Sequence, residues 1–365
     1  MVQLISVILA SSTCDFSAGP NSCCPLNIGE VVIAEGVAVI PIDAFKDCST
    51  LLSIVIPNGV TEFGHQAFYG CTALTSILIP DSVTKLGNGV FYGCSRLLSI
   101  AIPPSVTQLG NGVFYRCSNL TSVTIPKSVT KLSDGLFYEC SSLTSIVIPR
   151  SVTELGHQVF ARCSSLSSIV IPDRVTQLSN GLFYECSRLT SITLPTTLTA
   201  LGFQVFARCL SLRSIIIPDG VAELGHQAFL GCSSLTTVTI PNNVTELAYG
   251  VFEDCSSLTS VTLPDKLNKL GYGVFYGCSS LTSITIPNSV TKLGRRGFHG
   301  CTKLTSATLP RSLAATIPDN TFTNSPLASA SLTSCPSSSE VSYSVTYTAT
   351  KGSEPALTCT ISPTN

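Results

Sequence analysis

Twelve cysteines fall at positions 48, 71, 94, 117, 140, 163, 186, 209, 232, 255, 278 and 301, and every interval is 23 residues. One residue type returning at a fixed spacing over most of a chain restricts the fold to stacked copies of a single unit. Such a solenoid is held together by contacts between neighbouring copies. The spacing also poses a question of chemistry. Cysteine at this interval either serves a metal, redox or disulfide site, or it is a small core residue repeated because the coil is repeated.

Counting cysteine as position one, the unit reads C-x-x-L-x-S-I-x-I-P-x-x-V-x-x-L-G-x-x-x-F-x-x, as in Cys71, Leu74, Ile77, Ile79, Val83, Leu86 and Phe91. Proline holds position ten in all twelve units, from Pro57 to Pro310. Alternate residues of a strand face opposite sides, so Ile284 and Ile286 point inward while Ser283 and Thr285 point out. Pro287 lacks an N–H and ends that strand. Val290 and Leu293 begin a second extended segment, and Gly294 is expected to turn the chain with positive φ. Phe298 is expected to plug the coil from a short helical or 3₁₀ turn. The last unit slips by one residue, so its aromatic is Phe322. Before the first unit, Ile28, Val31, Ile33, Val37, Ile40 and Phe45 form an imperfect copy that reads as an N-terminal cap. One unit alone cannot bury enough apolar surface to offset the entropy of ordering it, so stability requires stacking.

Stacking answers the cysteine question. In register, the thiols form an inward column about 5 Å apart, with parallel Cβ vectors that do not converge as a bridge requires. Reduced core thiols are therefore expected along the ladder. A one-dimensional column also lacks the clustered ligands of a zinc site. Cys14, Cys23, Cys24, Cys335 and Cys359 lie off the register. Terminal caps cover an open hydrophobic end, and in exported proteins disulfides secure them. Cys335–Cys359 is the candidate bridge, flanking V-S-Y-S-V-T-Y-T-A-T, which alternates like a two-faced strand. Five is odd, so at least one of these stays free or pairs with the ladder.

The repeat resembles the BspA-like branch of the leucine-rich-repeat superfamily, whose units read roughly L-x-S-I-x-I-P-x-S-V-T-x-I-G-x-x-A-F-x-x-C. The resemblance covers residues 25–323. It implies a right-handed solenoid with a parallel β-sheet on one face. With helical or 3₁₀ turns elsewhere, the expected fold class is α/β. The position where other leucine-rich repeats place Asn or Cys is variable here (Gly59, Ser82, Arg174, Lys266), so an asparagine ladder is not expected there. The resemblance further implies a surface protein acting in adhesion and recognition.

Composition narrows the function. Of 365 residues 11% are charged and the net charge is −1, which supplies no basic surface for nucleic acid. Mean hydropathy is +0.41, yet Pro, Gly and Ser interrupt every apolar run before the ~18 residues that a spanning helix needs. The N-terminal MVQLISVILASSTC has an apolar stretch over residues 2–10 without basic residues. It reads as a cleaved signal peptide, a frayed strand, or the cut end of a longer product. Three domains follow: residues 1–24 as an N-terminal segment, 25–323 as the solenoid, and 324–365 as a Ser-rich linker and β tail.

No constellation reads as catalytic, metal-binding or cofactor-binding. His65, His157 and His226 share one repeat position but lie several coils apart, and His299 occupies another; all four read as solvent-facing turn residues. Three columns are candidates for surface function. Arg116, Glu139, Arg162, Glu185 and Arg208 alternate in sign and read as inter-coil ion pairs. Tyr69, Tyr92, Tyr115, Tyr138 and then Tyr184 read either as rings packing over the next coil or as a binding stripe. The outward strand column runs Val55, Leu78, Ala101, Thr124, Val147, Val170, Thr193 and Ile216, then becomes threonine at 239, 262, 285 and 308. Its apolar part is the candidate partner-binding surface, set against an ordinary β-propensity preference for Val and Thr. Asn119 and Asn243 stand in Asn-x-Thr glycosylation sequons. The expectation is a non-enzymatic recognition or adhesion module, secreted or on the cell surface, binding a protein or glycan through its strand face. The alternative is a cytoplasmic scaffold for protein partners.

Overall fold

The computed structural model describes residues 12–27, 29–310, 313, 317–318, 320–327, 343–348 and 356–361; Ser12 and the last two stretches are described as backbone only. The expected core position Ile28, the apolar stretch 2–10 and the expected Cys335–Cys359 bridge lie outside the described residues or side chains. The chain divides into two compact units, one ending at Arg174 and one beginning at Val175.

In the N-terminal unit, Ser12–Cys14, Gly29–Ile33 and Leu51–Val55 form a parallel three-stranded sheet. Further along, Ser99–Ala101 pairs with Ser122–Thr124 in the same sense. A second ribbon is built from two-residue strands: Val39–Ile40, Glu62–Phe63, Lys85–Leu86 and Gln108–Leu109. Glu62 faces Lys85 and Lys85 faces Gln108, so each step in the ribbon is one 23-residue unit. Strands such as Ser99–Ala101 are short because the proline at position ten, here Pro103, removes a ladder donor just after them. Alternation holds as expected: Ile100 is buried between exposed Ser99 and Ala101.

The C-terminal unit repeats the scheme. Gln177–Leu178, Ala200–Leu201 and Glu223–Leu224 pair in parallel, as do Glu246–Leu247, Lys269–Leu270 and Lys292–Leu293. Thr237–Thr239 pairs with Ser260–Thr262, and Ser283–Thr285 with Ser306–Pro310. Beyond them Tyr343–Thr348 pairs antiparallel with Ser306–Pro310 and in turn carries Ala356–Ile361. The alternating tail segment is thus a strand, and it covers the edge at which the parallel stack ends.

The expected helical turns do not occur. Among the described residues from Gly29 to Pro310 there is no helix, and the α/β assignment gives way to a parallel β-solenoid. The reason lies in the third side of the coil. Gln66, Phe68 and Gly70 donate their N–H groups to Asn88, Val90 and Tyr92 of the next coil at 2.7–2.9 Å. Between them Ala67, Tyr69 and Cys71 donate to carbonyls three residues back. An α-helix needs every interior N–H for its own i−4 carbonyl, whereas here every second one is committed across coils. Left-handed backbone at Gln66 (φ 56°) and Gly70 (φ 70°) interrupts any helical run as well.

The glycine expectation is also corrected. Positive φ falls at positions 19 and 23 of the unit, whereas Gly294 and its equivalents at position 17 do not adopt it. Position 17 is a close approach: a Cβ on Gly87 would lie 2.7 Å from the backbone nitrogen of His65, and one on Gly294 would collide with the Gly271 backbone. The core of each unit is a stack of the position-21 rings. Phe45 to Phe160 in the first unit, and Phe183 to Phe298 in the second, are fully buried. Phe322 continues the second stack at 5.4 Å from Phe298, as its one-residue slip requires.

Candidate recognition surface

Eleven ladder cysteines, Cys71 to Cys301, are free and buried. Their hydrogen bonds follow one rule: Cys71 Sγ donates to Phe45 O at 3.1 Å, Cys140 Sγ to Phe114 O at 3.1 Å and Cys278 Sγ to Phe252 O at 3.2 Å. Burial pushes the thiols of Cys71, Cys163, Cys232 and Cys301 up to about 12. A thiol held protonated and hydrogen-bonded is neither a nucleophile nor a metal ligand at neutral pH. Cys48 departs from the expected reduced column: it is bonded to Cys24, and Cys14 is bonded to Cys23. The odd off-register cysteine does pair with the ladder, at its first member. Among the described residues no three His, Cys, Asp or Glu side chains group as metal ligands.

The charged column forms one of its expected pairs in each unit. Arg116 Nε reaches Glu139 Oε2 at 3.0 Å, and Arg208 Nη1 reaches Glu185 Oε1 at 3.3 Å. A second charged series runs along the two-residue strands, with Lys85 to Glu62 at 2.7 Å, Lys131 to Glu154 at 3.1 Å, and Lys269 paired with Glu246. These exposed pairs favour register more than they add stability.

Tyr69, Tyr92, Tyr115 and Tyr138 stack face to face, with centroids 4.7, 4.6 and 4.3 Å apart. Lys46 lies 5.5 Å over Tyr69, Arg116 5.7 Å over Tyr115 and Arg162 5.8 Å over Tyr138. The rings are half-buried and their faces are occupied by one another, the geometry of the packing reading.

The outward strand column stands open. Leu78 is 81% exposed and Val147 82%, with Val55 and Val170 also exposed in the N-terminal unit. In the C-terminal unit Ile216 is 87% exposed. Threonine follows at 239, 262 and 285, exposed, and at 308, half-buried. Both sequon asparagines are exposed; the Asn243 side-chain amide donates to Asp219 O at 2.8 Å.

The family model for the BspA type leucine rich repeat region matches residues 19–144, 107–236 and 223–345. The chain belongs to this BspA-type leucine-rich-repeat family. A leucine-rich repeat protein from Bacteroides ovatus is 31% identical over 82% of this chain and 77% of its own, with a TM-score of 0.63. A leucine rich cell surface protein from Faecalibacterium prausnitzii is 28% identical over 80% of this chain and 81% of its own, with a TM-score of 0.52. The pneumococcal vaccine antigen PcpA shares the fold at 19% identity, covering 78% of this chain and 86% of its own with a TM-score of 0.52. No curated protein matches the chain. No helix among its described residues is long and apolar enough to cross a membrane.

One ladder in this BspA-type chain escaped the sequence reading. At position 18 a side-chain acceptor takes the backbone N–H of the same position one coil on. His65 Nδ1 accepts from Asn88 at 2.8 Å, Asn88 Oδ1 from Asn111 at 2.9 Å, and Asp134 Oδ1 from His157 at 2.7 Å. In the C-terminal unit Asn180 Oδ1 accepts from Phe203 at 2.9 Å and His226 Nδ1 from Tyr249 at 3.1 Å. Asn, Asp and His share only an acceptor at matching reach. The signal in the sequence is therefore a column of interchangeable acceptors and not one repeated residue. His65 and His226 are exposed, as expected, and each also bonds its coil to the next.

Proposed function

We propose that the chain is a non-enzymatic recognition module that binds a protein partner through the outward strand column of its N-terminal unit. The observation that carries this is the exposure of Leu78 and Val147, each above four-fifths, with Val55 and Val170 in the same column. Branched apolar side chains standing in water on a rigid, regularly spaced scaffold gain free energy when a partner covers them. The cell-surface description of the Faecalibacterium relative and the two N-terminal disulfides support a secreted or surface location. Ile216 offers a similar point of contact on the C-terminal unit, and Asn119 and Asn243 are acceptors for glycans if the chain passes through a glycosylating compartment. The test is a pull-down from native extract with the wild-type chain and with Val147→Glu/Val170→Glu. The variant should lose the captured protein while keeping its melting temperature, since both side chains are outside the core. Equal capture by the variant removes this column as the binding site.

A further inference from the structure

The C-terminal unit carries a second surface that the strand column does not involve. Position 18 places Phe203, His226, Tyr249 and Tyr272 on four successive coils. Phe203 is 42% exposed, Tyr249 39% and Tyr272 40%. Their packing differs from that of the tyrosine column in the N-terminal unit. There the rings close to 4.3–4.7 Å and lie within 15° of parallel. Here Tyr249 and Tyr272 are 5.6 Å apart at 25°, and His226 and Tyr249 are 6.4 Å apart at 50°. Phe203 stacks on no ring among the described residues. Splayed rings leave parts of their faces open where closed ones do not.

Hydrogen-bonding groups run beside the rings. Gln204 Nε2 donates to Gln227 Oε1 at 2.9 Å, and Gln227 Nε2 donates to Glu253 Oε2 at 3.3 Å. Each amide keeps further donor and acceptor capacity. His226 accepts at Nδ1, so its neutral ring presents Nε2–H as a donor. The residues between the rings are small: Gly225, Ala248, Gly271 and Gly273.

We infer that this stripe binds an extended, neutral, β-linked glycan, one sugar ring to a coil. Sugar rings offer C–H faces to aromatic rings and hydroxyls to amides and carboxylates, and the two must alternate closely. The coil repeat of about 4.8 Å is comparable to the rise of one sugar in such a chain. The inference shares with the proposed function only the premise of a recognition module; it uses different residues on a different unit.

The experiment is affinity electrophoresis of the whole chain through gels containing laminarin, hydroxyethyl cellulose or glycol chitin. Since the chain lacks tryptophan, tyrosine fluorescence gives an independent titration with the same polymers. Retardation in at least one gel is expected, weakened about tenfold in Tyr249→Ala/Tyr272→Ala and largely kept in Tyr249→Phe/Tyr272→Phe. Val147→Glu/Val170→Glu should migrate as the wild type, which separates this surface from the strand column. If the alanine pair folds poorly, Phe203→Ala, an unstacked ring, should weaken binding by about threefold. Absence of retardation in all three gels overturns the inference. So does unchanged retardation in an alanine variant that melts as the wild type, or a loss on ring removal of protein capture alone.

Discussion

The sulfur of Cys71 lies 3.1 Å from the carbonyl oxygen of Phe45, 26 residues earlier in the chain, and donates its proton to it. The same oxygen accepts the backbone N–H of Cys48 at 3.1 Å. The repeated cysteine thus combines two properties: it fills a fully buried core position and it caps a carbonyl of the coil below. Alanine and valine both lack the donor, and valine adds a branch to a fully buried position. Cys140→Ala, measured by urea denaturation, should lower stability by about 1–2 kcal/mol from lost packing and a weak hydrogen bond. Cys140→Val should cost about 1–3 kcal/mol by overpacking. A valine variant as stable as the wild type would contradict the tight seat of the thiol.

Protonated thiols make stability sensitive to alkali. In an unfolded chain a thiol ionises near 8.5, whereas burial holds Cys71, Cys163, Cys232 and Cys301 up to about 12. Above about 8.5 the unfolded chain binds fewer protons than the folded one. The contribution of these groups is therefore complete below that pH and is lost as pH rises toward 12. Urea midpoints should fall progressively over this range. The slope should be shallower in Cys163→Ala/Cys232→Ala, by about 1.4 kcal/mol per pH unit for each thiol removed. Equal slopes in the two proteins would mean that the thiols already ionise in the folded state.

Much of this molecule was legible in its sequence, and the failures share a cause. The period, the inward Ile pairs, the prolines that end strands and the slipped Phe322 follow from one coil's pattern. What could not be read depends on the relation between coils. Gly87 looks like a turn residue in one unit; only the His65 nitrogen of the preceding coil reveals a close approach. A hydrophobic turn before Cys71 suggests a helix until Gln66, Phe68 and Gly70 are seen donating to the next coil. The exposed rings at position 18 were hidden for the same reason, because Phe203, His226, Tyr249 and Tyr272 become one feature only when stacked.

The position-18 ladder predicts which substitutions at His65 are tolerated. Its Nδ1 accepts the Asn88 N–H at 2.8 Å, and Asn88 performs the same role for Asn111. His65→Asn should be close to neutral. His65→Ala should cost about 0.5–1.5 kcal/mol in urea denaturation, the value of one net hydrogen bond. If alanine and asparagine behave alike, the ladder bond adds nothing to stability.

The two kinds of glycine make opposite demands, which paired alanine substitutions can separate. Gly93 has φ 71°, and the nearest atom to an added Cβ is 3.9 Å away, so space is available and only the backbone conformation resists. Gly93→Ala should cost about 1 kcal/mol. At Gly87 the conformation suits alanine but the Cβ would meet the His65 nitrogen at 2.7 Å. Ser133, Ser179 and Ala248 occupy this position in other coils, so the stack can yield locally to admit a side chain. Gly87→Ala should therefore cost about 1–3 kcal/mol as overpacking, without unfolding the chain. Amide exchange should distinguish them, with faster exchange near the coil contact for Gly87→Ala and at the turn for Gly93→Ala.

The N-terminal disulfides tie a cap to the open end of the stack. Phe16 meets Phe45 edge-on at 5.6 Å, Thr50 Oγ1 donates to Pro25 O at 2.6 Å, and Cys24–Cys48 closes a loop over 24 residues. An end coil has a neighbour on one side only, so without its cap the Phe45 ring would face water. Closing a loop of this length removes about 3 kcal/mol of unfolded-state entropy. Cys24→Ser/Cys48→Ala should lose about that much stability and expose apolar surface to a fluorescent dye such as ANS, while Cys14→Ser/Cys23→Ser, with its shorter loop, should lose less. In protein from its native source, thiol counting under denaturing, non-reducing conditions should leave Cys14, Cys23, Cys24 and Cys48 unreactive while the eleven ladder thiols from Cys71 to Cys301 react. Reaction of all seventeen cysteines of the chain would mean that the native compartment is reducing. The case for a secreted or surface location would then rest on family likeness alone.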